Sequence, residues 1–459
     1  MDKEGLLSNV AYISALDLFK AIEMGAVTLK DLEETGELKP NKRAELEKII
    51  KKHEIELEGV KTKRLSDEAD EWENLRYSLD ILRLNEFIAK YQPDGKFIQA
   101  AKDWIKRIEK EIQKKQYERN QILNTLKTNR NYYTVFEIQK YLQQNVVADC
   151  DLIECGIPQA VISKVRGFRK LDINLGKTPE TIPAGFTEVY FWGIPGSGKT
   201  CALSAILNTA QKHGYSHIGR GTGTGYTLDL TNLFRTDDNL GYLPEGTAIN
   251  RTQYLPVMLK DSSEEHWRSV SLIELSGEVF KCFCRRYIDH DEHLGDMDET
   301  FAMLDRFLLN TNNRKMHFFF IDYDPSSIAQ DRFTQANYIN SAVSYFQEKK
   351  IFAKSTDAIY LVITKSDLID GWGTNEELLN KSIDNYLKDN FKAFENYLSA
   401  LCKKENINGG KYTVLPFSIG EVFFKRICKI NRVPSEMIID ILFSRIKPQK
   451  KSIFDVFKK

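Results

Sequence analysis

The chain has no excess of charge of either sign: 65 Lys and Arg balance 65 Asp and Glu, for a formal net charge of zero. That balance removes the overall attraction that drives binding to nucleic acid or to an acidic membrane surface, and leaves only local basic patches. Long apolar runs are also missing. Phe318 to Ile321 and Tyr360 to Ile363 are far shorter than the about 20 residues that span a bilayer. The opening MDKEGLLSNVAYIS carries acidic residues and no apolar segment ahead of a small-residue cleavage site, so no secretory signal is expected. Cysteines are few and odd in number, and Cys150, Cys155, Cys201, Cys282, Cys284, Cys402 and Cys428 lack disulfide-framework spacing. A cytoplasmic location is the expectation. No Ser/His/Asp or paired-carboxylate hydrolase pattern stands out.

What is present is apolar mass: 459 residues, 42% hydrophobic, with 26 Phe, enough for two or three cored domains. Up to about residue 170 the pattern is helical, with Leu, Ile, Phe and Trp at three- and four-residue spacing. From Thr187 onward short β-rich runs alternate with helical stretches: EVYFW, SVSLIEL, HFFFID, AIYLVIT and YTVLPFS. Such alternation predicts an α/β domain built on a mainly parallel sheet, helices on both faces, with an all-α module before it. The expected organisation is a helix-turn-helix-like unit at 1–65, a helical hairpin at 66–125, a second helix-turn-helix-like unit at 126–170, a Gly/Pro-containing linker at 171–183, the α/β domain at 184–447 and a basic tail at 448–459.

The two helix-turn-helix-like units form an internal repeat offset by 120 residues, with Val27, Asp31, Leu32, Glu34 and Gly36 over Val147, Asp151, Leu152, Glu154 and Gly156. Gly25 falls over Asn145, the two residue types that most readily take the left-handed conformation that ends a helix, and Thr28 is placed to cap the next one. The hairpin between the copies turns at Gln92-Pro93-Asp94-Gly95 and resembles a tetratricopeptide-type unit. DNA reading needs several basic or amide side chains on one helix face, and Leu29 to Glu34 offers Asp31, Glu33 and Glu34 against the single Lys30. Nucleic acid is therefore not the expected partner; the helical half is read as a docking platform for a protein.

The strongest motif is Gly193-Ile194-Pro195-Gly196-Ser197-Gly198-Lys199-Thr200, which fits G-x-x-x-x-G-K-[ST] between a strand and an amphipathic helix. Its glycines let backbone N–H groups close around phosphates; Lys199 reaches the β- and γ-phosphates, and the Thr200 hydroxyl is a Mg2+ ligand. Cys201 opens the helix, where a thiol pKa tends to fall, although packing under the loop is its default role. Downstream, SVSLIEL ends in Glu274-Leu275-Ser276-Gly277-Glu278, an acidic strand end followed by glycine, suited to sensing Mg2+ and the γ-phosphate. AIYLVI leads into Thr364-Lys365-Ser366-Asp367, where a carboxylate can accept from guanine N1–H and N2–H2 while the lysine stem covers the base. YTVLPF leads into Ser418-Ile419-Gly420, whose backbone N–H groups are placed for guanine O6.

In this order, each at a strand end, these motifs resemble the Ras-like (TRAFAC) P-loop GTPases over about residues 184–447. The switch, the long inserts and the helical half look most like the bacterial conflict-system-associated, double-GTPase-type members. The resemblance implies a three-layer α/β/α domain, GTP as ligand, Mg2+ as cofactor and hydrolysis to GDP and phosphate. It also implies catalytic roles for Lys199, Thr247 and Glu278 and metal contacts for Thr200, Thr247 and Glu274. Nucleotide contacts would come from Gly193, Pro195 to Cys201, Gly277, Thr364, Lys365, Asp367, Ser418 and Ile419. Thr252, just before the edge-strand candidate QYLPVML (Gln253 to Leu259), rivals Thr247 as the first-switch threonine. Two departures stand out: Glu274 replaces the family's Asp, and Glu278 replaces its water-orienting Gln, which implies slow hydrolysis. A nucleotide-stabilised scaffold and an ATP-using signalling ATPase are the alternatives.

Cys282, Cys284, His290 and His293 make a C-x-C-x5-H-x2-H cluster whose spacing is wrong for a structural zinc site, so core-facing cysteines are expected there. His213 and His217 flank Gly214 and are read as surface residues.

Overall fold

The computed structural model describes residues 2–169, 173, 178–234, 239–244, 252–290, 296–324, 333–352 and 355–446. The chain divides into two compact units, 1–120 and 121–459. The expected linker at 171–183 is described only in part, and the basic tail at 448–459 lies outside the described residues.

The first unit contains α1 (Lys3–Leu7), α2 (Ala15–Glu23), α3 (Leu29–Glu34), α4 (Pro40–Leu75), α5 (Ile81–Tyr91) and most of α6 (Ile98–Thr128). Helix α2 stops at Gly25, which has φ +71°, and α3 starts on a capping box between Thr28 and Asp31. Leu18, Ala21, Val27, Leu32 and Leu46 bury one small core, and Leu84, Phe87, Tyr91 and Ala101 with Trp72 bury another. Between these cores residues 54–67 of α4 are exposed on every side.

The second unit opens with α7 (Val135–Gln143), α8 (Asp149–Glu154) and α9 (Gln159–Arg166). The pair α7/α8 repeats α2/α3 shifted by 120 residues, Ala15 to Val135 and Leu29 to Asp149. Asn145 takes φ +54° where the first copy has Gly25. Ala148 has no capping hydroxyl, yet the Asp151 carboxylate still accepts its N–H at 2.8 Å. These helices do not stand alone: Ile138, Leu142, Leu152, Ile162 and Phe168 share a core with Leu240, Phe423, Phe424 and Ile427, far along the chain.

The α/β part supplies β1 (Thr187–Trp192), α10 (Lys199–Lys212), β2 (Ser216–Ile218), α11 (Thr224–Asn232), β3 (Leu240–Tyr242), β4 (Gln253–Leu259), β5 (Arg268–Glu274) and α12 (Glu278–Tyr287). It continues with α13 (Asp296–Leu309), β6 (Arg314–Asp322), α14 (Gln335–Lys349), β7 (Thr356–Thr364), α15 (Glu376–Glu405), β8 (Thr413–Phe417), β9 (Gly420–Phe423), β10 (Ile427–Ile430) and α16 (Val433–Ile446). A seven-stranded sheet runs β2-β4-β5-β1-β6-β7-β8, and a second, antiparallel sheet runs β3-β10-β9. In the large sheet β4 is antiparallel to both neighbours, whereas the pairs from β5 to β8 are parallel. The stretch Gln253–Leu259, expected at a sheet edge, is interior because three-residue β2 pairs along its outer side.

Alternation sets the three layers. Val189, Phe191, Phe318 and Phe320 face the core shared with α10, α11 and α16. Tyr190, Trp192, Phe319 and Ile321 face the core shared with α12 to α15. The P-loop α/β/α fold preceded by helices is thus the observed architecture, and every parallel strand points its carboxyl end at one edge.

His317 in β6 offers a stability test. Trp192 Nε1 donates to its Nδ1 at 3.0 Å, and its buried Nε2 has no hydrogen-bond partner among the described residues. Burial, helped by the Lys315 charge, holds the ring far below its ordinary value, so the folded protein keeps it neutral. The unfolded chain takes up that proton below about pH 6.5 and the folded one does not, so stability is retained above that pH and lost below it. The loss approaches about 1.4 kcal/mol per pH unit well below that value. Thermal melts from pH 7.5 to 5 are expected to show a shallower decline for His317→Gln than for the wild type; equal slopes would remove His317 from the account.

Candidate functional site

The phosphate loop connects β1 to α10. Gly193 has φ +150° and Gly198 φ +84°. A Cβ at Gly193 would lie 2.5 Å from Ser197 Oγ and 2.8 Å from Phe320 O, so no side chain fits there. Lys199 is buried and folds back over the loop, donating from Nζ to Gly193 O at 2.5 Å and Ile194 O at 3.0 Å. Burial lowers its pKa to about 8 against the opposing pull of the Glu274 charge. Ser197 is buried and its Oγ has no hydrogen-bond partner among the described residues.

The ends of neighbouring strands converge on this loop. Phe191 and Glu274 are register partners, so Glu274 leaves β5 beside the loop. Its buried carboxylate accepts the Thr200 hydroxyl on Oε1 and the Tyr226 hydroxyl on Oε2, the latter at 2.7 Å. Burial, with the Glu274 charge, pushes the Tyr226 phenol far up, which keeps it a hydrogen donor. Beyond β5, Gly277 lies so close to the loop that a Cβ on it would fall 2.3 Å from Pro195 N. Pro195 to Cys201, Pro244, Ser276, Gly277 and Glu278 line a cavity of about 230 Å³. Glu278 sits at the start of α12, ion-paired with Lys281 at 3.1 Å.

On the other side, Thr364 Oγ1 donates to Ser197 O at 3.0 Å and ties the end of β7 to the loop. Lys365 takes φ +54°, and Ser366 Oγ donates to Ile363 O while accepting the Phe417 N–H at 3.1 Å, joining β7 to β8. Asp367 is exposed on the short 3-10 turn Ser366–Leu368. Ser418 is buried and its Oγ accepts the Gly420 N–H at 3.2 Å, while Ile419 O accepts the Asn431 N–H at 2.8 Å, which closes that turn.

Several positions differ from, or add to, the sequence expectation. Cys201 is half-buried, and burial pushes its thiol up to about 12; the helix terminus does not lower it. Thr247 lies outside the described residues. Thr252 is buried immediately before Gln253, the register partner of Glu274, and its hydroxyl has no hydrogen-bond partner among the described residues. Cys284 is buried, with Sγ 3.2 Å from Ser341 Oγ; Cys282 is half-buried, and His293 lies outside the described residues. The sequence reading missed Tyr226, Pro244 and Asp322. Asp322 ends β6 fully buried, pairs with Lys365 Nζ at 2.9 Å and accepts the Asp324 N–H at 2.9 Å. Its signal was an acidic residue closing the run HFFFID.

Thr200 and Glu274 present hydroxyl and carboxylate oxygens side by side, hard donors of the type that suits Mg2+. Among the described residues no helix is long and apolar enough to cross a membrane.

No protein-family model matches the chain, and no curated protein matches it. Among solved structures, Roco2 RocCORdC of Methanosarcina barkeri, bound to GDP, overlaps at a TM-score of 0.24 and 12% identity, over 61% of this chain and 53% of that one. Nucleolar GTP-binding protein 1 of Plasmodium falciparum overlaps at a TM-score of 0.24 and 15% identity, over 58% of this chain and 88% of that one. This chain therefore spans about half the length of the Roco protein.

Proposed function

We propose that residues 184–447 are a GTP-binding domain of Ras-like type that hydrolyses GTP slowly and acts as a switch, of the double-GTPase-type subgroup. The observation that carries the reading is the junction at the phosphate loop. Thr200 is bonded to Glu274, Gly277 abuts Pro195, and Thr364 is bonded to Ser197, so loop, second switch and base-side loop form one edge. Loop N–H groups and the Lys199 ammonium bind the β- and γ-phosphates. Asp367 accepts from the guanine edge, and the Lys365 stem covers the base. Thr200 and Glu274, with a first-switch threonine, would hold Mg2+, which would supply charge neutralisation to the phosphates.

In hydrolysis a water oxygen bonds to the γ-phosphorus as the bond to the bridging oxygen breaks, giving GDP and phosphate. Glu278 lines the cavity and can accept a hydrogen bond from that water, but its carboxylate first has to leave Lys281. The same ion pair favours the second reading, a scaffold that keeps its nucleotide. Single-turnover assays separate the two. Glu278→Ala is expected to bind GTP normally and hydrolyse it at least about tenfold more slowly, whereas Glu278→Gln binds normally with an altered rate. Wild-type turnover that neither change affects contradicts the role of Glu278; no turnover in any of the three favours the scaffold.

The helical region before the α/β domain docks a partner protein in this reading. It presents Tyr12, Leu16 and Met24 to solvent around α2, where a partner's apolar residues can be received. A cytoplasmic setting fits seven cysteines of which none is in a disulfide.

A further inference from the structure

Tyr226 is 1% exposed, its ring lies in the core shared with α10, and its hydroxyl reaches Glu274 Oε2 at 2.7 Å. The glycine-rich stretch after β2, not otherwise used by the nucleotide reading, is what brings it there. Gly219 N donates to Pro256 O at 2.8 Å, and the Thr224 hydroxyl closes the turn on Gly219 O and Gly221 O at 2.8 Å each. Gly223 has φ +86°, and a Cβ on it would fall 1.9 Å from Tyr254 O, so only glycine lets α11 begin this close to β4. Asn208 of α10 then donates to Thr231 O at 2.9 Å and locks α11 in place.

This anchoring answers a problem specific to Glu274. A glutamate has one more side-chain torsion than the aspartate expected at this strand end, and more freedom to lose when it holds an ion. Thr200 restrains one carboxylate oxygen and Tyr226 the other. We propose that Tyr226 is a positioning residue for the divalent-cation site, fixing the Glu274 carboxylate so that Oε1 and the Thr200 hydroxyl stay together as the oxygen pair that receives the ion. The proposal rests on the nucleotide reading above and names the residue that tunes its metal affinity.

A buried tyrosine that merely satisfies its hydroxyl would have the same surroundings, so the test must read the metal. Tyr226→Phe keeps the ring and deletes the donor. With a fluorescent GDP analogue bound, Mg2+ is titrated against wild type, Tyr226→Phe, Glu274→Gln and the double variant, and GDP affinity in EDTA is measured separately as a check on the fold. Tyr226→Phe is expected to raise the Mg2+ midpoint about tenfold with GDP affinity in EDTA unchanged, and to add little in the Glu274→Gln background, because its effect passes through the carboxylate. An unchanged midpoint in Tyr226→Phe, or the same shift with and without the Glu274 carboxylate, overturns the proposal. Wild-type GDP binding that ignores Mg2+ overturns it while leaving the nucleotide reading intact. Absence of GDP binding by the wild type overturns both.

Discussion

Lys199→Ala is expected to lower affinity for GDP and GTP about 100-fold and to remove measurable hydrolysis. In the proposed reading the ammonium is the one loop charge that meets the β- and γ-phosphates, and losing charge-assisted bonds of this kind costs about 3 kcal/mol. The same group also holds the carbonyls of Gly193 and Ile194, so the variant also loosens the loop itself. Equilibrium titration with a fluorescent GDP analogue, alongside a circular-dichroism melt to confirm the fold, reads the effect. Affinity within twofold of the wild type contradicts the phosphate-loop assignment.

Asp367→Asn should exchange base preference without damaging the phosphate site. Asp367 is exposed on a turn held from below by Ser366, which bridges β7 and β8, so the substitution leaves the scaffold untouched. A carboxylate accepts both donors of the guanine edge, whereas an amide turns its NH2 toward one of them and pairs instead with the oxygen of xanthine. Loss of two charge-assisted bonds, about 3 kcal/mol, corresponds to roughly 100-fold weaker GTP binding, with XTP affinity rising. Competition of GTP, XTP and ATP against the fluorescent analogue measures all three. An Asp367→Asn protein that keeps the wild-type order of preference places base recognition elsewhere.

The parts of the site legible in the sequence are those written in contiguous residues. The phosphate loop follows from fixed spacing between a strand and a helix. Glu274 and the Thr364 to Asp367 turn follow from polar residues closing apolar runs, and Gly25 with Asn145 marks equivalent helix ends. What the sequence hid is contact between distant segments. Nothing local ties Tyr226 to Glu274 or Lys365 to Asp322; both pairs exist because strand order places those chain ends together. A three-residue strand such as β2 carries too little periodicity to be seen, which left Gln253–Leu259 looking like an edge. The boundary expected at 171–183 followed a change in texture from helical to β-rich. Texture does not report what a helix packs on, and α7 to α9 pack on Phe423, Phe424 and Ile427.

The same packing joins the strand beside the loop cavity to the helices. Pro244 lines the cavity beside the loop two residues after β3, whose Tyr242 donates to Lys164 O of α9 at 3.0 Å and meets Phe168 edge-on at 5.1 Å.

Competition binding on the wild-type protein asks whether this edge takes a guanine nucleotide. With Mg2+ present, GDP and GTP are expected to displace the fluorescent GDP analogue at concentrations at least about 100-fold below those needed for ADP and ATP, the discrimination of about 3 kcal/mol that two charge-assisted bonds from Asp367 to the base supply. Displacement by ATP at the same concentration as GTP, or no binding of either, would contradict the account.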